Sequence, residues 1–138
     1  MYKYIVLMSG LLLFFIYKYT TAEKRIHEFE GKVAQTPEQI EQGLMFRKKK
    51  LGDKQGMLFL MKPNIHSFWM KNTYISLDVL FLDGDMRVVG FVENTTPLSL
   101  ESISIDKLSN NIIEVDSGTV AKYSIKKRDK IIFTEKNP

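Results

Sequence analysis

Leu77-Asp78-Val79-Leu80-Phe81-Leu82-Asp83-Gly84-Asp85-Met86-Arg87-Val88-Val89-Gly90-Phe91-Val92 holds two β-rich runs joined by Asp83-Gly84-Asp85. An Asp-Gly pair between apolar and β-branched runs supplies the backbone freedom a tight turn needs, so the stretch predicts a β-hairpin. Upstream, Gly56-Met57-Leu58-Phe59-Leu60-Met61 is a continuous apolar run of strand length. Such a run predicts a strand buried on both faces. Lys62-Pro63-Asn64 reads as its end, and Ser67-Phe68-Trp69-Met70 as another short strand. Downstream, Asn94 to Asn111 is loop-like, with Pro97 and many serines. Ile112 to Val115 and Ile131 to Phe133 read as closing strands, with a turn at Asp116-Ser117-Gly118 and a short helix over Thr119 to Ser124.

One helix start is well formed. Thr36 is placed as N-cap, Pro37 sits where its missing N–H costs nothing, and Gln39 completes a capping box. Ile40, Leu44 and Met45 follow at helical spacing, with Gly43 inside the stripe. Several short strands and one clear helix predict a mainly β (α+β) fold. The expected form is a small barrel-like or rolled antiparallel sheet, with one N-terminal helix and a short C-terminal one.

The chain has 138 residues, enough for one domain with a real core, and no internal repeat or low-complexity tract. The net charge is +4. Without Lys3 and Lys18, which precede the domain, it falls to +2, too weak a field to argue for nucleic acid. The densest basic runs, Arg47-Lys48-Lys49-Lys50 and Lys126-Lys127-Arg128, read as solvated turns or as a surface for anionic headgroups. The chain has no cysteine, which excludes a disulfide framework, a thiolate metal site and a cysteine nucleophile.

Residues 1–22 read as a signal peptide or membrane anchor, ahead of a single domain over residues 23–138. Met1-Tyr2-Lys3 is a basic start, and Tyr4 to Tyr17 is an apolar run of 14 residues broken by Ser9 and Gly10. A membrane span wants about 20 apolar residues. The run is nearer a signal-peptide core, with Thr20 and Ala22 as a cleavage site before Glu23. Tyr4, Tyr17, Tyr19 and Lys18 would equally suit an interfacial anchor. A buried core helix is the third reading. Either of the first two exports the domain to the periplasm or exterior, and the second leaves it held in the cytoplasmic membrane through residues 4–17.

Read in order, Gly43-Leu44-Met45-Phe46-Arg47, Gly56-Met57-Leu58-Phe59, Phe68-Trp69-Met70-Lys71-Asn72-Thr73 and Leu77-Asp78-Val79-Leu80-Phe81 form a signature. Val88-Val89, Pro97 and Ile113-Glu114-Val115 with Gly118 extend it. On these motifs the chain resembles the domain of unknown function 192 family over about residues 33–134. The resemblance implies a compact, mainly β domain, often behind a signal or anchor, and no established activity. Family members usually carry Gly-Asp where this chain has Arg128-Asp129, so a different final turn is expected.

Trp69, Asn72, Thr73 and Asp78 form the candidate ligand-binding group, with Arg47. In one reading Trp69 fills the core, Asn72 and Thr73 fix a turn and Asp78 anchors it. In the other they line a pocket, with Trp69 as a stacking floor for a sugar or peptide end. Arg47 is expected to pair with Asp78. Met45, Met57, Met61, Met70, His66 and Trp69 raise a Cu(I) site as an alternative to simple core filling. His27 and His66 are the only histidines, and no nucleophile elbow or phosphate loop is present. Asp78, Glu93, Glu114 and Asp116 could supply paired carboxylates, although spacing does not make them converge. The sequence therefore favours a non-catalytic module for a small ligand or envelope protein, with no cofactor or metal. The alternatives are an enzyme using Asp78 and Arg47, or a Cu(I) carrier.

Overall fold

The computed structural model describes residues 25–136. Residues 1–24, with the expected signal or anchor, lie outside the described residues. Among the described residues, no helix is long and apolar enough to cross a membrane.

The architecture is mainly β. Strands β1 (Ile26–Ala34), β2 (Gln55–Asn64), β4 (Leu77–Leu82), β5 (Val88–Val92), β7 (Ser109–Asp116) and β8 (Lys130–Glu135) form one sheet. Its order is β5-β4-β7-β2-β1-β8. Strands β3 (Ser67–Phe68) and β6 (Ile103–Ser104) form a small second ladder. The large sheet curls until its two edges meet at one end. Arg87, just before β5, bridges Lys130 of β8. The backbone bonds Val88 N–H to Asp129 O and Ile131 N–H to Met86 O complete the seam. The result is a half-barrel.

The sheet is mixed rather than antiparallel. β1 runs parallel to both neighbours, β2 and β8. A parallel pair needs a crossover rather than a hairpin, and residues 35–54 supply it. Gly31 and Gly56 face each other in the β1–β2 ladder, and a Cβ on Gly31 would sit 1.9 Å from the Gly56 carbonyl oxygen.

Helices are few and short. α1 (Pro37–Gln42) has six residues, none of them buried, so a single clear N-terminal helix is not a fair description. Its capping box does form, with Gln39 N–H on Thr36 Oγ1 and Gln39 Oε1 accepting from Thr36 N–H. Gly43 ends it at φ 45° instead of lying within it. α2 (Thr119–Lys122) has four residues. Pro63 does not end β2. The β2–β7 register shifts between Leu60 and Asn64, and a bulge is where a strand tolerates proline.

Strands β2, β4 and β7 are buried on both faces. Inside the curl, Phe29, Leu58, Leu80, Val88, Ile113 and Ile131 bring one contribution from each of the six strands. Outside, Met57, Phe59, Leu77, Val79, Phe81 and Ile112 form a second cluster, covered by Leu44 after α1 and by Met70 and Ile75. Each fully buried side chain of this size contributes about 1.5–3 kcal/mol. The outer cover is incomplete and leaves a gap between α1 and the 67–73 loop.

Candidate functional site

β7 carries Ile112-Ile113-Glu114-Val115. Alternation sends Ile113 and Val115 inward and Ile112 and Glu114 outward. Glu114 lies opposite Val79 of β4 and Met57 of β2, so its carboxyl is set among apolar neighbours on the outer face. It is only 6% exposed. Among the described residues no hydrogen bond or ion pair reaches it. Burial alone pushes its carboxyl up from the ordinary 4.5 to about 8.

Above Glu114 lies an open pocket of about 180 Å³. Ile40, Glu41, Gly43 and Met45 approach it from α1 and the loop behind it, Phe59 and Met61 from β2. Phe68, Trp69 and Thr73 close the remaining side. Phe59 and Phe68 meet edge to face at 5.4 Å, which fixes one wall. Gly43 leaves room for that wall, since a Cβ there would come within 3.3 Å of the Phe59 ring. Trp69 stands at the mouth, 47% exposed, with Lys71 Nζ 4.9 Å from its ring centroid.

The five candidates from the sequence separate. Trp69 and Thr73 line this pocket. Thr73 is buried, and its hydroxyl donates to the Lys71 carbonyl at 3.2 Å. Asn72 takes φ 54° in the turn closed by Thr73 N–H on Met70 O, and its carbonyl accepts from Phe46 N–H. It shapes the loop and does not line the pocket. Arg47 does not pair with Asp78. Its guanidinium turns back onto the Lys49 and Lys50 carbonyls, at 2.8 and 3.4 Å, and braces the basic loop.

Asp78 points to the inner face, away from the pocket, and is 0% exposed. Its two oxygens accept from Asn94 N–H and Val120 N–H, each at 2.9 Å. That ties the loop after β5 and the start of α2 to β4. A carboxylate held this way is not open to a cleft. Asp116 is also engaged, accepting from Leu51 and Gly52 N–H.

The thioethers are not gathered. Met45 and Met61 line the pocket with Trp69, whereas Met57 lines neighbouring clefts, Met70 is buried, and His66 bonds the Lys62 carbonyl. Among the described residues no group of three His, Asp or Glu side chains is placed to hold a metal ion. Glu114, weighed from the sequence only as one of four carboxylates that could pair, is the one of those four that lines this pocket. Its signal was a lone carboxylate inside the apolar run Ile112 to Val115, where both faces are buried.

The sequence profile of the domain of unknown function 192 family, described as Uncharacterized ACR, matches residues 18–133. No curated protein matches the chain significantly. Two solved structures are similar to it. One, from Sinorhizobium meliloti 1021, is described as a proposed transcription regulator; it is 34% identical, with TM-score 0.70, over 72% of this chain and 78% of the other. The second, a protein of unknown function from Novosphingobium aromaticivorans DSM 12444, is 36% identical with TM-score 0.70, over 74% and 73% of the two chains.

Proposed function

Since the chain belongs to the domain of unknown function 192 family, which brings no assigned chemistry, we propose from its own geometry that it is a non-catalytic binding module of the cell envelope. It takes a small ligand in the pocket between Trp69 and Glu114. The carrying observation is Glu114 itself: a nearly buried carboxyl with no hydrogen-bond partner among the described residues, facing an open cavity. Leaving such a group bare costs stability, and a ligand that satisfies it is a physical reason for its presence. Trp69 adds a large half-exposed aromatic surface at the mouth, the usual companion of convergent polar groups in a binding site. The envelope placement rests on the apolar run from Tyr4 to Tyr17.

The enzyme alternative with Asp78 and Arg47 has less support, because Asp78 is fully enclosed and Arg47 is elsewhere. A Cu(I) carrier has less support for the same kind of reason, since its ligands are spread over several surfaces. The regulator description of one relative has less support: among the described residues no helix exceeds six residues, which leaves no recognition helix for a major groove.

The test is a thermal-shift screen of the full chain against sugars, peptides, nucleotides, small amines and Cu(I). A ligand at a hundred times its Kd adds about 2.7 kcal/mol and raises Tm by several degrees. The gain should vanish in Trp69→Ala, which keeps its own melting transition because Trp69 is half exposed. A hit that survives Trp69→Ala, or no hit across the panel, would overturn the pocket as the binding site.

A further inference from the structure

The charge around the pocket runs against that of the chain. The protein has 20 Lys and Arg against 16 Asp and Glu. Yet among the described residues no Lys or Arg lines the pocket, while two carboxyls do, Glu41 on the rim and Glu114 within. The rest of the wall combines the rings of Phe59, Phe68 and Trp69 and the sulfurs of Met45 and Met61 with the uncharged polar side chains of Gln42, Ser67 and Thr73. The faces of aromatic rings carry negative quadrupole charge and attract cations, most strongly when water is excluded. Lys71 already places its ammonium over the Trp69 ring, outside the lining. Two carboxyls, three rings and two thioethers, with no basic group, are complementary to a compact positive charge carried on carbon.

We propose that this pocket binds a small organic ammonium, with the cationic nitrogen against Glu114 and its carbon substituents against Phe59, Phe68 and Trp69. The proposal rests on the reading of the pocket as a binding site and names its ligand class. An anionic ligand finds no basic partner inside. A bare metal ion finds two carboxyls on separate elements, and among the described residues no group of three His, Asp or Glu side chains is placed to hold one. A volume of about 180 Å³ fits a ligand of roughly six to ten non-hydrogen atoms, since a cavity near 150 Å³ holds benzene.

A proton linkage follows. Free Glu114 holds its proton up to about pH 8, so a bound cation must displace it. Glu41, on α1, is the other titratable side chain lining the pocket. The neighbours from β2, β4 and the 67–73 loop are Met57, Phe59, Met61, Val79, Ser67, Phe68, Trp69 and Thr73, none of which titrates in this range. Affinity for an ammonium ligand is therefore expected to rise about tenfold per pH unit below pH 8 and to level off above it.

Trp69 is the sole tryptophan of the chain, so its fluorescence reports on the pocket directly. The experiment titrates the full chain with choline, n-butylammonium and 3,3-dimethyl-1-butanol, the uncharged shape-mimic of choline. Choline or n-butylammonium should give saturable quenching or shift, at least tenfold tighter than the alcohol. For choline, whose charge is fixed, Kd should fall about tenfold between pH 6 and pH 7. Glu114→Gln should lose that pH dependence and at least tenfold in affinity. Glu41→Gln, on the exposed rim, should weaken binding severalfold without affecting folding. Equal binding of the alcohol would overturn the ammonium class while leaving the pocket reading standing. No saturable response to either ammonium would also overturn it, and the broader ligand screen then decides the pocket reading separately.

Discussion

Glu114 and Asp78 pose the same problem to neighbouring strands and answer it differently. Each is a carboxyl in a strand buried on both faces. Asp78 receives two backbone N–H groups at 2.9 Å and becomes a rivet between β4, the loop after β5 and α2. Among the described residues no hydrogen bond reaches the Glu114 carboxyl, and burial raises it to about 8. Between about pH 4.5 and pH 8 the folded chain holds a proton on Glu114 that the unfolded chain has lost. The folded state then binds more protons, so stability falls as pH rises through that window, by up to about 1.4 kcal/mol per pH unit from this group. The expected outcome is that Glu114→Gln flattens this slope and is more stable than the parent at pH 8, as read from urea denaturation at a series of pH values. Trp69 and Thr73, named as candidates from the sequence, do line the pocket. Glu114 was named from the sequence only as a carboxylate that could pair with Asp78, Glu93 or Asp116, because spacing along the chain does not show that the fold sets it beneath Leu44 and the 67–73 loop.

At the scale of elements, the last turn shows backbone geometry prevailing over residue preference. Asp129 N–H bonds the Lys126 carbonyl, and Arg128 between them takes φ 75°. The arginine does not force a different turn. Arg128 N–H donates to Val88 O, and Asp129 holds the loop through Lys126 N–H, His27 and Arg25. These bonds over-determine the turn and leave Arg128 strained, at a cost of about 1–2 kcal/mol. Arg128→Gly should relieve most of it and raise Tm, with the gain reduced by the freer unfolded chain. A lower Tm in that variant would refute the strain. The β4–β5 hairpin was legible because its turn and both strands agree. β1 was not. Its residues Ile26, Glu28, Glu30 and Lys32 alternate with His27, Phe29, Gly31 and Val33, a half-polar pattern that promises no strand until β2 and β8 flank it. Once β1 is missed, the mixed character of the sheet is missed with it.

For the whole molecule, closure depends on joining β1 to β8, the first and last strands among the described residues. β8 covers one side of β1, bridges to Arg87 and places Ile131 in the inner core. A chain ending at Asp129 loses all three, and it should show no cooperative thermal transition by circular dichroism. A sharp transition in that truncation would show that the five remaining strands suffice. The pairing of β1 with β8 also concerns the order in which the chain is made. His27 and Asp129, bonded at 2.9 Å, stand 102 positions apart. Contacts between such distant segments form late, because the intervening loop must close first. A nascent chain leaving the ribosome offers β1 long before its partner exists. The half-barrel therefore cannot close until residues 130–135 are free to lie beside β1, so closure is one of the last events in its synthesis.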